Sequence, residues 1–417
     1  MVLIDIVWSS GSNLLVVIVR FGSFVMLGRR LGPVEYGAYV GMYGFLNPVG
    51  SLAFTGISLA VLQRAIRDED ALNAIAAKYL ALTTVQGAAG LAAALILASI
   101  FLDGVNVVTV GIFGIVELLI LASVEVAASI VQAASTFPAA TRVRIGTQLV
   151  RTGTLAVLFF THSLTLGALA VALLISTSAY LAYLLAVLLP RAGVPIGLSR
   201  PRMRDVIVAA QLSFTLFSSS VKEDGDKAVL AANGLERVTG IYGAGYRVLQ
   251  LGSVPLRAIE SAVFYRFLST GAADPGSQMG YALRYTAAIF AVSAAVGVGL
   301  FAASPHLGLL LGESFVEAEE VVRFLSPVLP LLALSQGPSN GLAGLGRLAL
   351  RGAVVGGAAV LSLLLYIALV PPLGWQGAAI GTLAGEAALA IALWIVFIHA
   401  YREAQIEETP LDPGARR

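Results

Sequence analysis

The sequence predicts an all-α polytopic membrane protein with about twelve transmembrane helices, arranged as two parallel six-helix repeats around a central cavity. Three observations predict this fold class: the composition, twelve long apolar runs, and a short motif that occurs once in each half. The chain is 58% hydrophobic and only 12% charged, whereas soluble domains carry roughly 25% charged residues. With no cysteine, the chain has no disulfide, no Cys-ligated metal and no thiol chemistry.

The apolar runs are of the length that a helix needs to cross a bilayer, about 20 residues for about 30 Å of hydrocarbon. They cover residues 4–28, 37–62, 76–102, 106–133, 145–162, 164–189, 206–232, 239–264, 281–302, 317–342, 348–370 and 376–400. They predict an N-terminal lobe over 1–189, a basic cytoplasmic linker over 190–205, a C-terminal lobe over 206–400 and a cytoplasmic tail over 401–417.

Lysine and arginine fall on one side of the predicted helices. If the helices alternate from a cytoplasmic N-terminus, 17 basic residues lie in or beside inside connections and 3 outside. Arg142, Arg144 and Arg151 belong to the inside set. Because cytoplasmic loops are enriched in basic residues, this bias predicts a multi-pass protein of the cell (inner, cytoplasmic) membrane with both termini inside. The net charge of +2 is too small to indicate a nucleic-acid partner.

Helix 1 carries a polar stripe, and helix 2 carries a proline. Ser9, Asn13 and Arg20 lie within about 40° of one another on an ideal helix, which indicates a polar or wet neighbour. In helix 2, Pro48 follows Asn47 and removes a backbone donor, so we expect a kink whose freed carbonyls face a cavity or another helix.

Helix 4 contains two carboxylates, Glu117 and Glu125. A charged group inside a membrane span is expensive and usually functional. Two interpretations stand side by side: the glutamates form a proton or cation site that couples transport, or they pair with basic neighbours.

Helix 7 contains five charges in six residues, KEDGDK at 222–227. A surface loop would end the span at Val221 and leave it too short to cross the membrane, so we expect the charges to line a cavity. The acids Glu223, Asp224 and Asp226 are candidates for ion coupling or charge pairing. Pairing within the helix is the competing expectation, because Lys222 and Asp226 are spaced i,i+4, as are Glu223 and Lys227.

The two halves share the pattern Gly-x-Tyr-x-x-x-Tyr. It begins at Gly37 at the start of helix 2 and at Gly240 at the start of helix 8. With six spans in each half, the copies have the same orientation, as in transporters built from parallel repeats.

Cationic residues within the predicted spans point to an anionic ligand. Arg20, Lys222, Lys227 and Arg247 can converge on one cavity, and arginine and lysine bind phosphate oxygens well. Asn13, on the polar stripe of helix 1, is a further candidate for binding the ligand. Arg257 also lies in helix 8, where we expect it to snorkel to the cytoplasmic surface. The three histidines lie far apart, so no metal site is expected. Nothing resembles a hydrolase triad, a phosphate-binding Gly loop or a dinucleotide motif, so we expect neither an enzyme nor a cofactor.

The order of several short motifs resembles that of a known family. They are LGPVEYGAY at 31–39, DK at 226–227 followed by TGIY at 239–242, LLGESF at 310–315, GLGR at 344–347 and VPPLGWQGAA at 370–379. In these the chain is similar to the polysaccharide (Wzx-type) flippases of the multidrug/oligosaccharidyl-lipid/polysaccharide exporter superfamily.

This resemblance implies two six-helix lobes that pass a polyprenyl-pyrophosphate-linked oligosaccharide across the membrane by alternating access, for surface polysaccharide biosynthesis. The implied partners are that lipid-linked oligosaccharide, membrane lipids, and polymerase and glycosyltransferase machinery, and a monomer is sufficient. The alternative, based on Glu117, Glu125 and the charges of helix 7, is a cation-coupled multidrug or small-molecule exporter of the same superfamily.

Overall fold

The computed structural model describes residues 2–67, 72–102, 105–134, 137–194, 203–273 and 275–408. Within these ranges the chain is helical and contains no strand. Twelve helical segments follow one another, one for each predicted span. They are α1 (2–31), α2 (33–67), α3 (Leu72–Phe101), α4 (Val107–Ala134), α5 (Phe137–Phe160), α6 (Leu166–Arg191), α7 (Met203–Ala232), α8 (236–273), α9 (Gln278–Leu311), α10 (318–344), α11 (Leu348–Leu373) and α12 (Trp375–Glu408).

Several segments are interrupted. Gly32, at φ 67°, separates α1 from α2, because a left-handed backbone is available to glycine at little cost. The predicted disturbance after Pro48 appears as a π-helical turn at Ser51–Thr55. Segment α8 consists of Glu236–Gly252 and Val254–Ala273. Further interruptions are π-helical turns at Ile115–Leu121 and Leu184–Leu188, a 3-10 turn at Ser304–His306, and a break in α10 between Ala318–Leu325 and Val328–Gly344.

Seven stretches in the described part of the chain have the length and hydropathy of a membrane span, one of them covering α1 and α2 together. The segments outside these stretches are α5, α7, α8 and α10. Three of these, α5, α7 and α8, carry the charged residues described below. The fold is therefore that of a multi-pass membrane protein in which the less apolar helices carry many of the charged residues.

The repeated motif lies where α2 crosses α8. A Cβ atom on Gly37 would lie 1.7 Å from the carbonyl oxygen of Glu236, and one on Gly240 would lie 1.9 Å from the carbonyl oxygen of Pro33. Both positions require glycine, since any side chain would collide with backbone. Because the two motif glycines play the same role against each other's helix, the crossing relates α2 and α8 as equivalent elements of the two repeats.

Opposite ends of the bundle are held by different contacts. We call the end of the bundle where α1 turns into α2 at Gly32 the first-loop face. There the guanidinium of Arg29 donates to the carbonyls of Leu309 and Leu310 at 2.9 and 2.8 Å. At the other end, the opposite face, Arg64 and Lys78 lie 3.0 and 3.8 Å from the buried carboxylate of Asp205. These contacts join α1 to α9, and α2 and α3 to α7.

Some predicted boundaries were wrong. Segment α5 begins at Phe137, eight residues before the apolar run at 145–162, so Arg142, Arg144 and Arg151 lie in a helix and not in a loop. The predicted linker over 190–205 is helical at both ends, and its centre, 195–202, lies outside the described residues. The predicted tail continues α12 as far as Glu408, and 409–417 also lies outside them.

Candidate functional site

A cavity of about 480 Å³ lies between the two halves of the chain. Segments α1, α2, α5, α6, α7 and α8 line it. Five basic and two acidic side chains face it, together with tyrosines, asparagine and glutamine. A volume of this size holds a drug-sized polar group, and the excess of basic over acidic groups favours an anion.

Aromatic rings lie between this cavity and the first-loop face. Phe24 and Tyr36 line the cavity, and the Tyr36 ring packs 5.9 Å from both the Phe24 and the Phe315 ring centroids. Tyr36 is 2% exposed and Phe315 is fully buried. Phe24 and Tyr36 belong to the N-terminal half and Phe315 to the C-terminal half, so the halves meet tightly here.

Three arginines of the cavity, which we call the arginine trio, carry their charge without an ion pair. Arg20 comes from α1, and Arg247 and Arg257 come from α8. Among the described residues none has a carboxylate within 4.0 Å. Arg20 instead donates to the Gln148 side chain at 3.5 Å and Arg247 to the Gln250 side chain at 2.9 Å. Their guanidinium groups therefore retain donors for an anionic ligand.

Other arginines of the cavity repel the charge of Arg20. Arg247 and Arg257 each act electrostatically on Arg20, and Arg151 adds to this. Charges that are partly buried are screened by salt much less than surface charges. The empty site therefore holds unfavourable charge repulsion that a bound anion would relieve.

Arg151 also lines the cavity from the N-terminal half and, unlike Arg20, forms an ion pair. Its guanidinium forms two hydrogen bonds to the Glu117 carboxylate, at 2.7 and 3.2 Å, and a third to the Tyr43 hydroxyl at 3.2 Å. The Tyr43 hydroxyl in turn donates to Glu117 at 2.5 Å. We call this set the N-terminal ion network. It joins α2, α4 and α5 at the cavity, where Tyr43 and Arg151 line the space and Glu117 lies behind them.

Lys227 is its counterpart in the C-terminal half. Its ammonium lies 2.9 Å from Asp226 and 3.6 Å from Asp224, and 3.5 Å above the Tyr246 ring. The Tyr242 hydroxyl donates to Asp226 at 2.7 Å. We call this set the C-terminal ion network. Since Tyr242 and Tyr246 are the motif tyrosines, the repeated motif supplies tyrosines to ion networks in both halves.

The expectation that Lys222 faces the cavity was wrong. Its ammonium lies 2.7 Å from Glu386 of α12, and it is not among the lining residues. Neither i,i+4 pairing forms, since Lys222–Asp226 and Glu223–Lys227 are not ion pairs and Lys227 contacts Glu223 through its backbone carbonyl. Pairing within the helix does occur for Lys227, whose partners are Asp226 and Asp224. Helix α7 turns its Lys222 side away from the cavity, so its charges divide between two surroundings.

The candidate carboxylates also divide. Glu117 pairs with Arg151, and Glu125 pairs with Arg144 at 2.7 Å away from the cavity, so the charge-pairing interpretation describes both. Asp226 is fully buried. Glu223 and Asp224 face the cavity, and Asp224 accepts a hydrogen bond from Asn47 at 3.0 Å.

The sequence analysis missed two cavity residues, Arg257 and Arg151, and predicted a third, Asn13, whose side chain the structure does not describe. Arg257 faces the cavity, although snorkelling to the surface was expected. Arg151 was counted among the basic residues in or beside the inside connections and was not considered for the cavity. The side chain of Asn13 lies outside the described residues. In the part of the chain that the structure describes, no three His, Cys, Asp or Glu side chains are arranged to hold a metal ion.

Comparisons with known proteins agree with this fold. The family model for "Polysaccharide biosynthesis protein" matches residues 26–320. No curated protein matched the sequence.

Solved transporter structures have a similar fold. An inward-facing multidrug resistance MATE family transporter of the MOP superfamily is 19% identical, with a TM-score of 0.73 over 94% of this chain and 96% of that one. An outward-facing structure of a transporter of that family is 20% identical, with a TM-score of 0.62 over 96% of each chain. A MOP superfamily transporter from Pyrococcus furiosus, described as having a binding pocket of reverse polarity, is 15% identical, with a TM-score of 0.64 over 96% of each chain.

Proposed function

Because the chain belongs to the polysaccharide biosynthesis protein family and has the fold of MOP superfamily transporters, we propose that it is a flippase for a lipid-linked oligosaccharide. Its substrate is a polyprenyl-pyrophosphate-linked repeat unit, moved by alternating access for surface polysaccharide biosynthesis. The observation that carries this proposal is the arginine trio without ion pairs in the central cavity.

The chemistry of the cavity fits such a headgroup. Arginine forks bind phosphate oxygens in pairs of parallel hydrogen bonds, and a diphosphate diester offers several such oxygens close together. Tyr39, Tyr43 and Tyr246 line the same space and offer aromatic faces and hydroxyl groups to sugar rings. The polyprenyl tail stays in the bilayer, since its transfer into a polar cavity would cost the hydrophobic stabilisation of each methylene group, about 0.8 kcal/mol.

The orientation is part of the proposal. The bias of Lys and Arg supports a cytoplasmic location for both termini, and hence for the opposite face, with the first-loop face outside. The headgroup would then enter from the opposite face and leave past the aromatic contacts of Tyr36 and Phe315. Polymerase and glycosyltransferase enzymes are the natural partners on the two sides of the membrane.

A cation-coupled exporter of the same superfamily is the second candidate. It drew support from Glu117 and Glu125, and both carboxylates are held by arginines. The excess of basic groups in the cavity disfavours an organic cation as substrate. The Pyrococcus furiosus transporter, whose description links a reversed pocket polarity to a different function, is a precedent for separating functions within this fold by charge.

Reconstitution into proteoliposomes tests the proposal. A lipid diphosphate carrying a radiolabelled disaccharide is placed in the vesicles, and a membrane-impermeant glycosidase added outside reports its arrival. With the wild type we expect the glycosidase to release the radiolabelled sugar rapidly. With Arg20→Gln/Arg247→Gln the rate of release should be at least tenfold lower. Arg237→Gln, at an exposed arginine outside the cavity, is the matched control and should keep the wild-type rate. Uptake of an organic cation without movement of the lipid-linked sugar would favour the exporter.

A further inference from the structure

We propose that the cavity holds its substrate in one orientation: the diphosphate lies against the arginine trio, and the sugar next to it gives its donor groups, hydroxyl or ammonium, to an acidic wall. We use that name for Asn47 of α2 together with Glu223 and Asp224 of α7. The acidic wall selects against a carboxylated sugar at this position. The inference rests on the proposed function for the identity of the diphosphate.

The position of Lys222 leaves α7 with an excess of acid at the cavity. The segment 222–227 contains three acids and two lysines, but the ammonium of Lys222 pairs with Glu386 of α12 at 2.7 Å. Lys227 is the base that α7 presents to the cavity, and Asp226 neutralises it at 2.9 Å. The two acids of the wall therefore leave negative charge on this part of the cavity surface.

The carboxylate of Glu223 has no partner in the described part of the chain. It lines the cavity, whereas its backbone carbonyl is the group that contacts Lys227. Glu223 lies nine residues before the end of α7 at Ala232, which is about 14 Å along the helix axis. An ionisable side chain at such a depth in a membrane span is costly and indicates a functional site.

Asp224 is held by contacts that leave it free to accept further hydrogen bonds. The amide of Asn47 donates to one of its oxygens at 3.0 Å, and the ammonium of Lys227 lies 3.6 Å from the other. A carboxylate has about four acceptor sites on its two oxygens. Because Asn47 belongs to the N-terminal half and Asp224 to the C-terminal half, the acidic wall offers acceptors from both halves to one ligand.

The acidic wall and the arginine trio are separate groups. The trio belongs to α1 and α8 and the wall to α2 and α7, and among the described residues no ion pair joins them. Arginine attracts phosphate oxygens, whereas sugar hydroxyl and ammonium groups form charge-assisted hydrogen bonds to carboxylates. A sugar diphosphate is therefore oriented by both of its ends.

A carboxylated sugar would bring like charges together. Next to the diphosphate, its carboxylate would lie against Glu223 and Asp224, and like-charge contacts of this kind exclude a wrong ligand. The total charge of the cavity predicts the reverse, because five basic and two acidic lining side chains favour the more negative ligand. A comparison of a neutral and an acidic sugar therefore distinguishes the acidic wall from a uniformly cationic cavity.

Calorimetric titration of the purified protein makes this comparison with three ligands. Each is a ten-carbon polyprenyl diphosphate that carries glucose, glucosamine or glucuronic acid. With the wild type we expect the glucose compound to bind at least tenfold more tightly than the glucuronic acid compound. Glucosamine bound more tightly than glucose would identify ammonium as the preferred donor, and equal affinity would identify hydroxyl groups. Weaker binding of glucosamine than of glucose would contradict the acidic wall.

Glu223→Gln keeps the size of the side chain and breaks no ion pair of the described residues. We expect it to reduce the preference for glucose over glucuronic acid at least fivefold, through tighter binding of the glucuronic acid compound. Glu223→Asp keeps the charge and should keep the preference. Glu317→Gln, the same substitution at an exposed glutamate outside the cavity, is the matched control. If Glu223→Gln does not fold, the order of the three affinities in the wild type decides.

Failure of the acidic wall and failure of the proposed function give different results. If the wild type binds inorganic pyrophosphate, but binds the glucuronic acid compound as tightly as the glucose compound or more so, the acidic wall is overturned and the diphosphate site stands. If Glu223→Gln keeps the full preference, the acidic wall is likewise overturned. If the wild type binds neither pyrophosphate nor any of the three compounds, both are overturned.

Discussion

The two ion networks beside the cavity both contain tyrosines of the repeated motif but connect acid and base differently. In the N-terminal ion network the acid and the base come from separate helices, Glu117 from α4 and Arg151 from α5. In the C-terminal ion network Asp226 and Lys227 are neighbours on α7. Burial differs as well: the side chains of Arg151 and Glu117 are 23% and 17% exposed, those of Lys227 and Asp226 7% and 0%.

This difference separates two roles. Because the N-terminal ion network joins three helices through charged hydrogen bonds, it fixes how α2, α4 and α5 meet at the cavity wall. The side chains of Lys227 and Asp226 in the C-terminal ion network are buried, and a buried charge without a partner would lower the free energy of unfolding. We therefore expect damage to the C-terminal network to lower stability most, and damage to the N-terminal network to alter the cavity more than the stability.

Asp226→Ala should have the largest effect. Among the described residues it leaves the buried Lys227 ammonium with Asp224, at 3.6 Å, as its carboxylate partner. Removing one partner of a buried pair costs about 3–5 kcal/mol. The free energy of unfolding in detergent micelles measures the loss. Asp226→Asn/Lys227→Met, which removes both charges, should recover much of it. Equal stability of Asp226→Ala and the wild type would show that the pair is not buried as described.

Glu117→Gln should destabilise the protein less, by about 1.5–3 kcal/mol, which is typical of hydrogen bonds to charged groups. Arg151 is then released toward the cavity and joins the trio. We expect tighter binding of inorganic pyrophosphate, measured by calorimetry, together with the loss in stability. Glu125→Gln is the matched control, since its partner Arg144 lies away from the cavity, and it should leave binding unchanged. Weaker binding by Glu117→Gln would contradict the division of roles.

Tyr43→Phe should cost about 0.5–1.5 kcal/mol, the net value of a typical hydrogen bond, because the ring stays packed while its hydroxyl leaves Glu117 and Arg151. Tyr242→Phe likewise removes the tyrosine hydroxyl that donates to the network carboxylate in the other half. Among the described residues Tyr242 is the tyrosine that donates to the fully buried Asp226, so the cost of this change should be the larger of the two. Thermal unfolding measures the loss of stability in each variant. A larger loss for Tyr43→Phe than for Tyr242→Phe would contradict the proposed difference between the two networks.

The exposed pair of Arg237 and Glu317 at the first-loop face should matter least. The hydrogen bond from Arg237 lowers the pKa of Glu317 below its ordinary value of 4.5, so the stabilisation is present above that value and is lost as the pH falls through the lowered pKa. Glu317→Gln should be slightly less stable than the wild type at neutral pH, and the difference should vanish in acid. A thermal-unfolding difference that persists or grows in acid would contradict this assignment.

Much of the fold followed from the sequence, because lipid imposes helices of known length and the apolar runs show them. The Gly-x-Tyr-x-x-x-Tyr motif also indicated the repeat, and the structure places Gly37 and Gly240 against each other. The ion-pair partner of Lys222 could not be predicted from the sequence. Helical spacing suggested partners within α7, but Lys222 reaches Glu386 of α12, more than 160 positions away, and nothing local encodes such a contact.

Arg20 and Arg247 could be recognised because an arginine deep in an apolar run needs a polar surrounding. Arg257 was harder, since the same side chain near the end of a span can reach either the surface or a cavity. The interruption of α8 at Ser253 sets the direction of the following helix, and with it whether Arg257 faces the cavity or the surface. Arg151 was overlooked because it lies near the start of the apolar run at 145–162, where a basic residue is assigned to the cytoplasmic flank. The helix begins eight residues before that run, so Arg151 lies well inside α5.

The central claim is that the arginine trio binds a diphosphate headgroup, and calorimetric titration of the purified protein with inorganic pyrophosphate tests it most directly. We expect the wild type and Arg237→Gln to bind equally, with affinity that falls as salt is raised. Arg20→Gln/Arg247→Gln/Arg257→Gln should lose at least a hundredfold in affinity while remaining folded. Binding by this triple variant at the wild-type affinity would contradict the account.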